Sequence, residues 1–294
     1  MRRAKHILAV SGALLAFATA SRAAVVQTYF NFTTYGTQSG GATLTDLTGN
    51  TTGTLNVDPN TSLTSSGLTI ASASGNSEKT GVFLAAGSLS GFTGDFSIQD
   101  WVTLSNPQNG VVLWGANNGP DNTWIGDGYT GVSTLIGMTW GSLTGGGGTG
   151  NPLGQPYSRW GWNIGGVSLA AGQSYDMMLT YNASTYTFNQ YINGVQTSSL
   201  QEAFSSTSLA GTQLFGIGGC PNEPWAPWGD ASADETTSDF LLYNGALTAS
   251  QVAAVDAAGA SASLATISAD VIPEPVSLGL MGLGGLILLR RRVR

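Results

Sequence analysis

Apolar and polar residues alternate in short runs along most of this chain. Val25 to Phe32, Gly53 to Val57, Gly67 to Ser72 and Gly81 to Ala86 are the first, each read as a strand. Asp95 to Leu104 is the clearest, with Phe96, Ile98, Val102 and Leu104 on one face by a period of two. Asp100 falls on that same apolar face, where an acid is expected to be hydrogen-bonded in the core. Val111 to Trp114, Leu135 to Trp140 and Trp160 to Ile164 follow. Tyr175 to Tyr181 and Thr185 to Tyr191 predict a hairpin, and Asn193-Gly194 predicts a tight turn into a strand ending near Leu200. Leu214 to Gly218 and Asp239 to Tyr243 complete about a dozen strands. That number predicts an all-β fold, a two-sheet antiparallel β-sandwich, rather than a small barrel.

One helix interrupts the pattern. Thr248 is placed to cap it, Gln251 stands at the capping-box position, Val252 and Val255 form its apolar stripe, and Gly259 ends it. Residues 260–270 turn small and polar and read as a linker. The body of the domain is therefore expected to span residues 24–259.

The two ends break the alternation. Arg2, Arg3, Lys5 and His6 precede an apolar run from Ile7 to Ala18, and small residues follow at Ala18, Ala20 and Ala23. This is the pattern of a signal peptide over residues 1–23, and it predicts export. At the other end Pro273-Glu274-Pro275 precedes an apolar segment, 276–289, and the arginines Arg290, Arg291, Arg292 and Arg294. As a helix that segment would reach ~21 Å, short of the ~30 Å hydrocarbon core, with the arginines on the cytoplasmic side.

Charge sharpens the picture. Between the ends only Lys79 and Arg159 are basic, against sixteen acids, so the body carries a net charge of about −14. Such a surface repels phosphate backbones and excludes nucleic acid as a partner. The single histidine, His6, lies in the signal peptide, so the body holds no imidazole for a Ser-His-Asp triad or a zinc site. Cys220 is the only cysteine, which rules out an internal disulfide, and no base stands by to activate it. The Gly145 to Gly148 run lacks the following Lys-Ser/Thr of a phosphate loop.

The C-terminal triplet, apolar run and arginine cluster resemble the PEP-CTERM sorting signal (residues 271–294). The resemblance implies processing by an exosortase-type membrane protease, with Pro273, Glu274, Pro275, Arg290, Arg291 and Arg292 as recognition residues and the membrane as a partner of the tail. Four segments of the body, in order, resemble laminin-G-like domains of the concanavalin-A-like lectin/glucanase type. They are Asp46-Leu47-Thr48-Gly49-Asn50-Thr51-Thr52-Gly53, Phe96-Ser97-Ile98-Gln99-Asp100-Trp101-Val102, Met178 to Tyr181 running through Asn193-Gly194, and Asp239-Phe240-Leu241-Leu242-Tyr243-Asn244-Gly245-Ala246-Leu247. The resemblance covers about 210 residues and implies a jelly-roll sandwich, which hosts many functions.

What the family implies for chemistry is narrower. It suggests a structural Ca²⁺ held by Asp46, Asn50 and Asp239, oxygen ligands suited to a hard cation. One acid of the family's terminal pair is replaced by Ser238, and Asn50 could serve the turn rather than an ion. Laminarinase-type relatives carry Glu-x-Asp-x-x-Glu on one strand face, and no such run exists here, so the expectation is a protein without enzymatic activity. For an extracellular polysaccharide the candidate contacts are Trp124, Trp160, Trp162, Trp225 and Trp228, the last two in a Pro-rich loop. Trp101, Trp114 and Trp140 sit inside strands and are assigned to the core. Three readings stand side by side: an exported lectin-like envelope or matrix protein, a structural or adhesion module without a glycan ligand, and a glycosidase with an atypical site.

Overall fold

The computed structural model describes residues 24–71, 80–105, 111–117, 123–129, 136–142, 169–201, 209, 214–219, 231–232 and 234–271. The strands run, in chain order, β1 Val25–Asn31, β2 Thr43–Thr45, β3 Thr52–Leu55, β4 Thr61–Thr64, β5 Gly67–Ile70, β6 Val82–Leu84, β7 Phe96–Leu104 and β8 Val111–Asn117. They continue as β9 Thr123–Tyr129, β10 Ile136–Ser142, β11 Ser174–Asn182, β12 Thr187–Ile192, β13 Val195–Gln201, β14 Leu214–Ile217, β15 Ala231–Ser232 and β16 Glu235–Asn244. Two helices follow, α1 Ala249–Ala258 and α2 Leu264–Val271. The predicted β-sandwich is the fold. The first sheet is ordered β13-β12-β11-β7-β16-β5-β4, with β1 also on β16, and the second is ordered β10-β9-β8-β14-β6-β3-β2, with β15 on β8.

Most strands fall where the alternation puts them. The sequence does not reveal β2, β4 and β15, because runs of two to four residues carry little periodic signal, nor the seven-residue β9, whose alternation is broken by Gly126 and Gly128. The predicted Trp160–Ile164 strand lies outside the described residues. Asn193 and Gly194 both adopt positive φ, 50° and 72°, as the twist of a two-residue hairpin requires.

The main core fills the space between the sheets. Trp114 of β8 stacks on Phe215 of β14 at 5.8 Å, and Phe215 meets Phe240 of β16 edge-on at 5.7 Å, tying one sheet to the other. A second core lies on the far side of the first sheet. There Tyr29, Met178, Tyr191, Leu241 and Tyr243 pack under Val252 and Val255 of α1 and Ile267 and Val271 of α2. The α1 cap is the reciprocal capping box foreseen from Thr248 and Gln251. Residues 260–270, expected as a linker, instead contain most of α2. Their small residues let the chain turn back closely, and Gln251 donates to the Val271 carbonyl at 2.6 Å.

A β-bulge at Thr237–Asp239 sets which side chains of β16 face which way. Glu235 and Thr237 point inward with Val102 and Leu104, while Asp239, Leu241 and Tyr243 point to the outer face. On β7, alternation places Phe96, Ile98, Asp100, Val102 and Leu104 inward and Ser97, Gln99, Trp101 and Thr103 outward.

Candidate functional site

The outer face of the first sheet carries the polar chemistry best defined in the molecule. Three adjacent strands place Asp176 of β11, Trp101 of β7 and Asp239 of β16 in one row. Both carboxylates are 1% exposed, whereas Trp101 is only half-buried. The sequence assignment of Trp101 to the core is corrected here: its odd position in the β7 alternation turns it away from Phe96 and Val102.

On one side of this row the helices cover the sheet. Tyr243 donates its hydroxyl to Gln99 at 2.6 Å, and Gln99 donates its amide to Asp176 Oδ1 at 2.9 Å. Asp176 Oδ2 receives no N–H or O–H donor among the described residues, and the carboxyl of Asp256 on α1 stands within hydrogen-bonding reach of the Asp176 side chain. Two carboxyl groups in contact need a proton between them. Burial, opposed by the Gln99 hydrogen bond and reinforced by Asp256, pushes Asp176 up to about 8. The same contact explains Gly194: a Cβ there would stand 3.0 Å from Asp256 Oδ2.

Asp239 grips the turn between the helices. Its Oδ2 accepts from the Ser261 backbone N–H at 2.8 Å and its Oδ1 from the Tyr29 hydroxyl at 2.9 Å. That hydroxyl also lies 2.8 Å from the Ala262 carbonyl. One hydroxyl proton cannot serve both acceptors, so the two contacts are satisfied together when Asp239 is protonated. Burial raises Asp239 above the usual carboxylate range in the same direction.

Asp46, the other expected acidic ligand, is held in a cage of donors. Tyr29 N–H and Thr48 N–H donate to Oδ2 at 2.9 and 3.1 Å, Thr48 Oγ1 donates to it at 2.5 Å, and Thr51 N–H donates to Oδ1 at 2.8 Å. Asn50 is exposed and donates its amide to the Gln27 carbonyl at 3.2 Å. A cation needs lone pairs pointing at it, and these carboxylates face hydrogens instead. Asp46, Asn50 and Asp239 therefore do not fit a calcium ion. No group of three His, Cys, Asp or Glu side chains suited to a metal exists among the described residues.

On the other side of Trp101 the sheet is open. Ser174, Thr103, Thr236, Thr69 and Ser62 face one another in register across β11, β7, β16, β5 and β4. All five are exposed or half-exposed, while their strand neighbours Val102, Leu104, Leu68 and Ile70 are buried. Thr103 and Ser174 hydroxyls lie 2.6 Å apart, and those of Thr69 and Thr236 lie 3.0 Å apart. Sequence reasoning missed this row, because it exists only once five separate strands are paired. The signal present in the sequence was the outward parity of Trp101 and Thr103.

The remaining candidates are placed as follows. Trp124 lies in β9, opposite Gly141 and Asn117. Trp160, Trp162, Trp225 and Trp228 lie outside the described residues, as do Cys220, Pro273, Glu274, Pro275, Arg290, Arg291 and Arg292. Trp114 is buried as expected. No helix among the described residues is long and apolar enough to cross a membrane.

No family profile matches the chain. No curated protein matches it either. Solved structures do share its fold. Domain 4 of AbnA, a GH43 extracellular arabinanase from Geobacillus stearothermophilus solved with arabinotriose, aligns with a TM-score of 0.54 at 17% identity. The alignment covers 78% of this chain and 97% of that domain. A Trypanosoma rangeli sialidase in complex with sialic acid aligns with a TM-score of 0.51 at 16% identity, over 79% of this chain and 32% of the sialidase. This chain thus spans about a third of that enzyme's length. The expectation of a protein without enzymatic activity is corrected by these neighbours, which come from glycoside hydrolases. No Glu-x-Asp-x-x-Glu run lies along one strand. The fold instead gathers acids across strands, with Asp100 and Glu235 buried on the inner face and Asp176 and Asp239 sharing a row on the outer one.

Proposed function

We propose that this chain is an exported carbohydrate-binding β-sandwich domain, delivered to the cell envelope by its C-terminal sorting segment. The observation that carries this reading is the half-buried Trp101 beside a register-aligned row of hydroxyl side chains. An aromatic face with neighbouring hydroxyls offers a sugar both C–H stacking and hydrogen bonds. The fold likeness to an arabinanase domain solved with arabinotriose supports the same reading. Export and sorting rest on residues 1–23 and 271–294, with an exosortase-type protease and the membrane as partners of the tail. A retention assay on insoluble polysaccharides tests binding: saturable retention is expected, and passage through every polysaccharide would reject it. Deleting residues 272–294 is expected to leave a folded domain that misses the envelope, and unchanged delivery would reject the sorting role.

A second reading, glycoside hydrolysis, rests on the fold likeness to domains of an arabinanase and a sialidase. Reducing-end release from a bound glycan would support it, and no release from any bound glycan would reject it.

A further inference from the structure

We infer that the open half of the first sheet's outer face is the glycan site, and that its ligand is a neutral, extended glycan laid across the strands over Trp101. This inference rests on the carbohydrate-binding reading above and adds the surface and the ligand class.

Trp101 belongs to neither hydrophobic core. A large indole left half-buried in mid-sheet, outside both cores and with polar side chains around it, keeps part of its face available to a ligand. Two residues farther along β7 stands Thr103, the centre of the five-strand hydroxyl row. At one strand spacing per residue the row is about 19 Å long. That is a platform, not a pocket, and it suits several consecutive sugar units better than one. Each hydroxyl both donates and accepts, as sugar hydroxyls do. The Thr103–Ser174 and Thr69–Thr236 pairs hold the side chains in place, and each pair keeps lone pairs and one proton for a ligand.

Charge selects the class. An anionic sugar needs a guanidinium or ammonium partner. The described residues contain no Lys, Arg or His, and the acidic body repels anions. The two carboxylates flanking Trp101 are buried, so the exposed row itself is neutral. A neutral platform on an acidic domain matches a neutral glycan and rejects a sialylated one.

The test is calorimetric titration of the full chain with linear arabino- and gluco-oligosaccharides, with sialyllactose as the anionic probe. The variants are Trp101→Ala, Thr103→Val with Thr236→Val, and Trp225→Ala with Trp228→Ala, each checked by thermal melting. The valine pair keeps β-branched shape, so it remains informative if Trp101→Ala fails to fold. The expected result is saturable binding of a neutral oligosaccharide, weakened about tenfold or more in Trp101→Ala and measurably in the valine pair. Binding left intact by those variants but lost in the Trp225/Trp228 variant would overturn the site and leave carbohydrate binding standing. Preferential binding of sialyllactose would overturn the ligand class. A chain that self-associates through this face, with dimers abolished by Trp101→Ala and no glycan bound, would overturn the inference and the reading beneath it.

Discussion

The outer face of the first sheet is one surface with two halves, divided at the row of Asp176, Trp101 and Asp239. Under the helices the face is dry. Tyr29, Gln99, Met178, Leu241 and Tyr243 are buried, and the polar groups there form closed hydrogen-bond chains that depend on protons. Beyond Trp101 the same strands present only hydroxyls, neutral at any ordinary pH and open to solvent. The covered half contributes stability, and the open half is free for recognition. A side chain's effect should therefore depend on which half it occupies, more than on its residue type.

The largest effect is expected from Val255→Asp, which forces a charge into the covered half. A loss of about 4 kcal/mol of stability is expected in urea unfolding. A change under ~1 kcal/mol would mean that the helices are not packed on the sheet as described.

Next comes the pH dependence. Asp176 stands near 8 when folded, against 3.8 ordinarily, so its folded form binds a proton that the unfolded chain releases earlier. Its contribution to stability is fully present below about pH 4 and is lost progressively as pH rises to about 8. Asp239 and Asp256, also raised, act in the same direction. Asp256→Asn supplies an amide donor to Asp176 and is expected to flatten the urea midpoint between these limits. An equally steep profile in that variant would break the shared-proton account.

Tyr29→Phe removes the hydroxyl between Asp239 and Ala262 and is expected to cost about 1–2 kcal/mol in the same assay. The smallest effect belongs to the open half. Thr103→Val with Thr236→Val is expected to leave stability within about 0.5 kcal/mol of the parent, because neither side chain enters a core.

Much of this division was written in the sequence. The alternation of β7 specified inward Phe96, Ile98, Val102 and Leu104, and by the same rule outward Trp101 and Thr103. Thr248 and Gln251 marked the helix start. What stayed hidden was pairing between distant strands. Nothing local reveals that Asp176 faces Asp256, that Tyr29 reaches Asp239, or that Ser62 and Ser174 end the same row. The bulge at Thr237–Asp239 adds to this, since one extra residue reverses the facing of everything before it. The linker expectation for residues 260–270 failed for a related reason: Ile267 and Val271 become a buried stripe only once a sheet lies beneath them.

Whether a glycan lands on the open half is read out by oxidative footprinting of the full chain. Hydroxyl-radical labelling read by mass spectrometry reports the exposure of Trp101 with and without a neutral oligosaccharide. Labelling of Trp101 is expected to fall on saturation while that of the α1–α2 segment stays constant. Unchanged labelling of Trp101 under saturating ligand, with protection at another tryptophan, would contradict it.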